Sequence, residues 1–262
     1  MSKIKTKILV VDDEINVGKS IRQAILSGDY KIDTALSGEE ALTKDKKERY
    51  DVIITDLMMP GISGLDLLKT IRQERPEVIV ILVTGYPTIK TAVQAIKIGA
   101  FDYIAKPFTP NELRSLVQRS IKLAGSRKDE KEETFRPEMP SDLFIMKGHT
   151  WIRKERESLV TVGVVFDFLK PIEQISGIEI IDENKNIYQG EVCARIIDGD
   201  NNIHRIWAPV TGRVVRVNEN LKDKTFLIKK DPYKKGWLIR IESTNLEEDL
   251  KNLSDSLEEQ ST

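Results

Sequence analysis

Val78–Val83 reads VIVILV, six apolar residues in a row. So short and uniform a run suits a strand buried on both faces of a parallel sheet. Upstream, Asp51–Thr55 (DVIIT) and Lys7–Val11 (KILVV) share the texture, and downstream Tyr103–Ala105 (YIA) is a shorter version. Ile32–Leu36 (IDTAL) is more mixed, as an edge strand would be. Helix signals lie between these runs. Ser37 with Glu40, and Thr109 with Glu112, make capping-box patterns, and Pro110 fits a first helical position. After Thr109, Leu113, Leu116, Val117 and Ile121 recur at helical spacing. Strands alternating with helices predict a doubly wound α/β domain over residues 1–124.

In open α/β sheets, ligand chemistry gathers outside the carboxyl ends of the strands. The residues that follow the apolar runs are Asp12 and Asp13, Asp56, Thr84 and Lys106. Close carboxylates repel one another unless a cation neutralises them, and a hard divalent ion such as Mg²⁺ prefers oxygen donors. With that charge present, Asp56 can act as a nucleophile towards a phosphoryl donor and form an aspartyl phosphate. Thr84 and Lys106 can hold the phosphoryl oxygens, because phosphoryl transfer is catalysed mostly by positioning and charge stabilisation. Singly, an Asp at a strand end is usually a helix cap, and a Thr or Lys there is loop decoration. Their joint placement at four successive strand ends carries the functional reading.

Residues 5 to about 124 resemble the receiver domain of a bacterial two-component response regulator, through ILVVDDE, DVIITDLMMPGISGLDLL, VTGYPT and GAFDYIAKPF. The resemblance implies a flavodoxin-like fold with Asp56 phosphorylated by a sensor histidine kinase. It implies Mg²⁺ on Asp13, Asp56 and the Met58 carbonyl, with Asp12 supporting it through water. Thr84 and Lys106 would read the phosphate, Tyr103 would be the switch aromatic, and Lys106–Pro107 would be a cis peptide.

Gly125–Asp142 (GSRKDEKEETFRPEMPSD) is nearly devoid of apolar residues and reads as a charged linker, or as a helical extension of the preceding element. Beyond it the texture becomes β-like: Leu159–Val165, Glu191–Ile197, Gly212–Val217 and Trp237–Ile241, separated by turn-rich pieces at Asp182–Asn186 and Asp198–Asn202. The ending TNLEEDLKNLSDSLEE predicts an amphipathic helix with Leu246, Leu250, Leu253 and Leu257 on one face and Thr244 with Glu247 as its capping box. Residues 143–262 thus form a small, mostly β domain with a terminal helix. From Gly148 to about Leu253 it resembles the lipoyl-carrying H-protein of the glycine cleavage system, through GHTWI, VTVGVVFDF, WAPVTGRVVRVNENL and DPYKKGWLIRIE. This implies a flattened barrel of the hammerhead kind. The family's carrier lysine stands seven residues before the Ala-Pro pair, and here that position is Asn201. An Asn side chain has no amine to acylate, so no lipoate is expected. Lys185 lies in another turn and lacks the carrier context. His149, His204 and Cys193 are expected to be structural, and Trp151, Trp207 and Trp237 to anchor the core.

The chain has 262 residues, enough for two domains, and its 41 Lys+Arg balance 42 Asp+Glu. That balance disfavours a globally basic nucleic-acid binder, although Arg213–Arg240 is locally basic. No stretch approaches the roughly 20 apolar residues of a membrane span, and MSKIKTKILVVDDE has no secretory cleavage site, so a cytoplasmic protein without a membrane partner is expected. One cysteine excludes an internal disulfide, and with two histidines it cannot build an ordinary structural zinc site. There is no P-loop and no enzymatic output signature. The reading is a response regulator whose H-protein-like domain is an adaptor for an unidentified downstream protein. Phosphorylation would shift the helices near residues 88–98 and 109–123, altering exposure of the β domain or forming a phosphorylation-dependent homodimer. Three other readings stand beside it: a lipoate-linked metabolic carrier or regulator, a DNA-binding transcriptional regulator, and a phosphorelay intermediate.

Overall fold

The computed structural model describes residues 6–85, 89–128, 137–146, 148–251 and 253–255. Spatial proximity divides the chain into two compact units, Met1–Pro87 with Ile98–Gly125, and Thr88–Lys97 with Ser126–Thr262. The first half of the sequence alternates β1 (Thr6–Val11), α1 (Ile15–Ile25), β2 (Tyr30–Ala35), α2 (Gly38–Glu48), β3 (Val52–Asp56), α3 (Gly64–Glu74), β4 (Ile79–Thr84), α4 (Ile89–Ile98), β5 (Asp102–Ala105) and α5 (Pro110–Lys128). The strands form one parallel sheet in the order β2-β1-β3-β4-β5. Each apolar run became a strand, and the mixed stretch became the edge strand β2.

Strand alternation sends Ile8, Val10, Val52, Ile54, Ile81 and Val83 to one face, where they pack with Ile21 and Ile25 of α1 and Leu113 and Val117 of α5. Leu9, Ile53, Val80 and Leu82, the residues between, are just as buried. Each such side chain contributes about 1.5–3 kcal/mol on burial. A sheet covered on both faces therefore needs no polar alternation, which is why its strands read as solid apolar blocks. The Thr109–Glu112 box closes in both directions: Thr109 N–H donates to Glu112 Oε2 at 2.9 Å, and Glu112 N–H donates to Thr109 Oγ1 at 3.2 Å. At α2, Ser37 Oγ accepts from Glu40 N–H at 3.2 Å, but the Glu40 carboxylate accepts from Leu36 N–H instead of returning to Ser37. Helix α5 runs on to Lys128, so the start of the expected linker is helical. Residues 129–136 of that linker lie outside the described residues.

The second half contains β6 (Phe144–Met146), β7 (Thr150–Lys154), β8 (Leu159–Val164), α6 (Phe166–Leu169), β9 (Ile175–Ile180), β10 (Asn186–Ile187), β11 (Val192–Asp198), β12 (Ile203–Trp207), β13 (Gly212–Val217), α7 (Asn220–Asp223), α8 (Leu227–Lys230), β14 (Ile239–Ser243), α9 (Leu246–Lys251) and β15 (Ser254–Asp255). Seven strands form one sheet, β10-β13-β14-β8-β7-β6-β15, and three form another, β12-β11-β9. Trp151 is fully buried and stands opposite Gly163 on β8. A Cβ at Gly163 would come within 2.4 Å of the indole, so only glycine leaves room for it. Trp207 is buried as expected, whereas Trp237 is only partly covered, with the Arg240 guanidinium 5.2 Å over its ring. The expectation of three core tryptophans thus holds for two.

The terminal amphipathic helix is the main correction. Helix α9 spans only Leu246–Lys251, after which β15 pairs antiparallel with β6. Thr244 is not the cap; Asn245 precedes the first turn, with its Nδ2 donating to Glu248 Oε2 at 2.9 Å. Asp249, which is not among the four leucines of the expected apolar face, is buried and accepts from Thr211 N–H at 2.6 Å. Contacts distant in sequence overrode the leucine spacing, since an isolated helix this short has little stability of its own. Leu257 lies outside the described residues.

Candidate functional site

The register of the parallel sheet assembles the site. Val11 of β1 pairs with Thr55 of β3, so Asp12 comes level with Asp56. Asp56 pairs with Val83, which puts Thr84 one step further along β4. Thr84 pairs with Ala105, and Lys106 follows immediately, its N–H donating to the Thr84 carbonyl at 2.7 Å. The chain runs from β1 outward to β2 and then returns to β3 on the other side of β1. That reversal opens a crevice at the carboxyl ends of β1 and β3.

Lys106 ties the crevice together. Its Nζ donates to Asp56 Oδ1 at 2.6 Å and to Asp12 Oδ2 at 2.9 Å. Both carboxylates are buried, while the lysine side chain keeps about a fifth of its surface exposed (22%). Burial pushes the Asp12 carboxyl above its ordinary value, against the pull of Lys106 and the Glu14 N–H. Burial alone would lower Lys106, but its bonds to Asp56 and Asp12 hold it above the ordinary lysine value. The other Asp56 oxygen, Oδ2, accepts from Met58 N–H at 2.6 Å. Asp56 therefore has a fixed orientation, with neighbours that tolerate negative charge on it.

Of the remaining expected site residues, Thr84 is fully buried and Tyr103 buried on β5, level with Leu82 of β4. Asp13 is exposed, and Met58 is exposed at 62% with its carbonyl in the loop after β3. The Lys106–Pro107 peptide is cis. The sequence brings Asp12, Asp56, Thr84 and Lys106 together and leaves Asp13 at the rim. Among the described residues no three acidic, His or Cys side chains are close enough to make a ready metal cluster. The donor chemistry nevertheless suits Mg²⁺. Asp12, Asp13 and Asp56 are hard oxygen donors, and their three negative charges exceed the single Lys106 charge by two.

Sequence reasoning passed over one support of this site and one buried ion pair at the other end of β5. Gly64 begins α3 directly beneath the Asp56 peptide, where a Cβ would come within 2.1 Å of the Asp56 carbonyl oxygen. The glycine in ISGLD was its only signal. Asp102, at the start of β5, pairs with Arg119 of α5, and both are buried. The Arg119 guanidinium also lies 5.0 Å over the Phe101 ring. Nothing in local spacing announces that pair.

In the second half, the position of the expected carrier lysine is the tip of the β11–β12 hairpin. Asn201 occupies it with φ 59°, a left-handed conformation that Asn tolerates better than most residues. Asp198 organises the turn. Its Oδ1 accepts from Asp200 N–H and Asn202 N–H, both at 2.9 Å, and its Oδ2 accepts from Asn202 Nδ2 and pairs with His204 Nε2, both at 3.0 Å. Burial would raise Asp198, but His204 and the Asn202 and Asp200 donors hold it below the ordinary carboxylate value. His204 is thereby explained as structural, and His149 is buried 5.4 Å from the Phe168 ring. Cys193 is buried, and burial pushes its thiol up to about 12, which makes it inert. Lys185 is exposed.

Comparison with known proteins divides along the same line. The family model for the response regulator receiver domain matches residues 8–118, and that for the glycine cleavage H-protein matches residues 143–262. Regulatory protein AtoC of Escherichia coli is 37% identical over 123 residues, 47% of this chain and 27% of AtoC. Transcriptional regulatory protein ResD of Bacillus subtilis is 38% identical over 120 residues, 46% of this chain and 50% of ResD. The chain thus spans half or less of the length of these two curated relatives. A crystal structure of a glycine cleavage system H protein from Mycobacterium marinum aligns at 23% identity over 40% of this chain and 87% of that one, with a TM-score of 0.37.

Proposed function

From a chain that joins a response regulator receiver domain at residues 8–118 to a glycine cleavage H-protein domain at residues 143–262, we propose a cytoplasmic two-component response regulator with an adaptor output. Domain limits of 1–124 and 143–262 go with this reading. The observation that carries it is the Lys106 ammonium shared between Asp56 and Asp12 at the switch point of the parallel sheet. An Asp56 oxygen attacks the phosphorus of a phosphohistidine on the partner kinase; the P–N bond breaks, and the imidazole leaves neutral, keeping the proton already on its other ring nitrogen. Lys106 then pairs with a phosphoryl oxygen, and Thr84, one residue further along β4, takes another through its hydroxyl. Asp12, Asp13, Asp56 and the Met58 carbonyl would hold Mg²⁺, which when bound supplies charge neutralisation to the transferring group. Tyr103, buried on β5, is the residue through which that rearrangement reaches the neighbouring helices.

The H-protein-like half is read as a protein-interaction module that is not lipoylated. Asn201 at the hairpin tip supports this, because a carboxamide cannot form the amide that attaches lipoate. No helix among the described residues is long and apolar enough to cross a membrane. Incubation of the full chain with acetyl phosphate and Mg²⁺ tests the receiver reading. Wild type is expected to gain one phosphoryl group that base and hydroxylamine remove, and Asp56→Asn none. Equal labelling of Asp56→Asn would overturn the site.

A further inference from the structure

We propose that the groove between α8 and the start of β9 binds a small amphipathic carboxylate: an apolar chain or ring ending in one carboxyl group. The adaptor reading is not needed for this. The groove is open to solvent and offers about 610 Å³, within the roughly 300–1,000 Å³ of small-molecule sites. Its walls are Phe166, Ile175 and Phe226, and Phe226 is 55% exposed to water. Its rim carries two ammonium groups, Lys229 and Lys230, against the single carboxylate of Glu173.

Lys229 sets the ligand's charge. It is partly buried, and among the described residues its Nζ has one acceptor, the Ile172 carbonyl at 2.6 Å. Two of its three N–H donors are left for another group. Burial lowers its pKa, with the Glu173 charge opposing. A carboxylate arriving there supplies both an acceptor and a compensating charge to a poorly solvated ammonium. A neutral amide supplies only the acceptor. The aromatic and aliphatic walls have nothing to offer a purely polar anion, so the ligand needs an apolar body. The groove is also largely pre-formed, which keeps the ordering cost of binding low. Thr225 Oγ1 donates to the Ile175 carbonyl at 3.3 Å, and the Gln174 carbonyl accepts from Gly199 N–H at 3.0 Å.

The test is a titration of the ¹⁵N-labelled full chain with 4-phenylbutyrate and, separately, with 4-phenylbutyramide. Saturable amide shifts are expected at residues 166, 174–175 and 225–230, with the acid binding about tenfold more tightly than the amide. Phe226→Ala should weaken both by about fivefold, and Lys229→Met should bring the two probes within about twofold of each other. Should Lys229→Met fail to fold, Glu173→Gln serves in its place, strengthening the acid by about threefold and leaving the amide unchanged. Equal affinity of the two probes for wild type, shifts centred elsewhere, or no saturation below about 5 mM would each overturn the proposal.

Discussion

Replacing Lys106 by methionine keeps most of the side-chain volume and removes one charge from the site. In the wild type that charge lies 2.6 Å from Asp56 Oδ1 and 2.9 Å from Asp12 Oδ2. At an effective dielectric near 20, each pair attracts by about 6 kcal/mol before desolvation is counted. Removing one partner from a buried ion pair costs about 3–5 kcal/mol, because the other charge is left stranded. Lys106 is 22% exposed, so the lower end applies: about 3 kcal/mol at pH 8 without divalent cations. At pH 5 the loss should be smaller than at pH 8, falling towards the roughly 1 kcal/mol of a lost hydrogen bond as Asp12 takes up its proton. The sign follows from Asp12. Its folded-state pKa lies above the ordinary 3.8, chiefly through burial, and losing Lys106 removes a group that pulls it down. Folded protein then holds a proton that the unfolded chain releases, so the variant's stability falls as pH rises from the ordinary carboxyl value through the raised one. Urea unfolding can be resolved by half, because Trp151, Trp207 and Trp237 all lie in the second half. A far-UV circular dichroism transition with no tryptophan counterpart belongs to the receiver. Adding Asp12→Asn to Lys106→Met should recover about 1–2 kcal/mol at pH 8 by removing one of two unpaired carboxylates. A Lys106→Met deficit that is the same at pH 5 and pH 8, or absent at both, would refute the argument.

Gly64→Ala forces a Cβ against the Asp56 carbonyl and should destabilise the receiver by about 2–3 kcal/mol, with slower acetyl phosphate labelling as the functional readout; a silent substitution would mean the β3–α3 turn yields freely. Asp198→Ala strips the acceptor from four donors of the hairpin, at a cost of about 1–3 kcal/mol, and should accelerate amide exchange at Asp200 and Asn202. In wild type the same loosening should begin only in acid, since Asp198 is held below its ordinary value and its contribution is lost as pH falls through the folded-state pKa. Asn201→Lys restores an amine to the hairpin tip. With a lipoate ligase and lipoate, a lipoyl mass increment is expected on that variant and not on wild type, and an increment on wild type would revive the carrier reading.

The receiver half was legible to a high degree because its signals are local. Lys7–Val11, Asp51–Thr55 and Val78–Val83 are strands covered on both faces, so uniform apolarity marks them directly, and the chemistry falls on the residues that follow. The β half was less so. Short strands such as Phe144–Met146, Asn186–Ile187 and Ser254–Asp255 hold too few residues for a period to register.

By itself the sequence determined the alternation of elements in residues 6–128, the four strand ends that bear Asp12, Asp56, Thr84 and Lys106, and an Asn at the carrier position. The first two follow from composition and spacing within a few residues, and the carrier position from the resemblance to the H-protein family. Tertiary structure alone decided that one ammonium bridges carboxylates 50 and 94 residues away in the chain. It also decided that Gly163 makes room for Trp151, and that the leucine-spaced terminus ends as a one-and-a-half-turn helix and a strand. The physical reason is the same throughout. These outcomes depend on which distant group supplies the charge, the space or the hydrogen bond, and only the packed chain brings that group within reach.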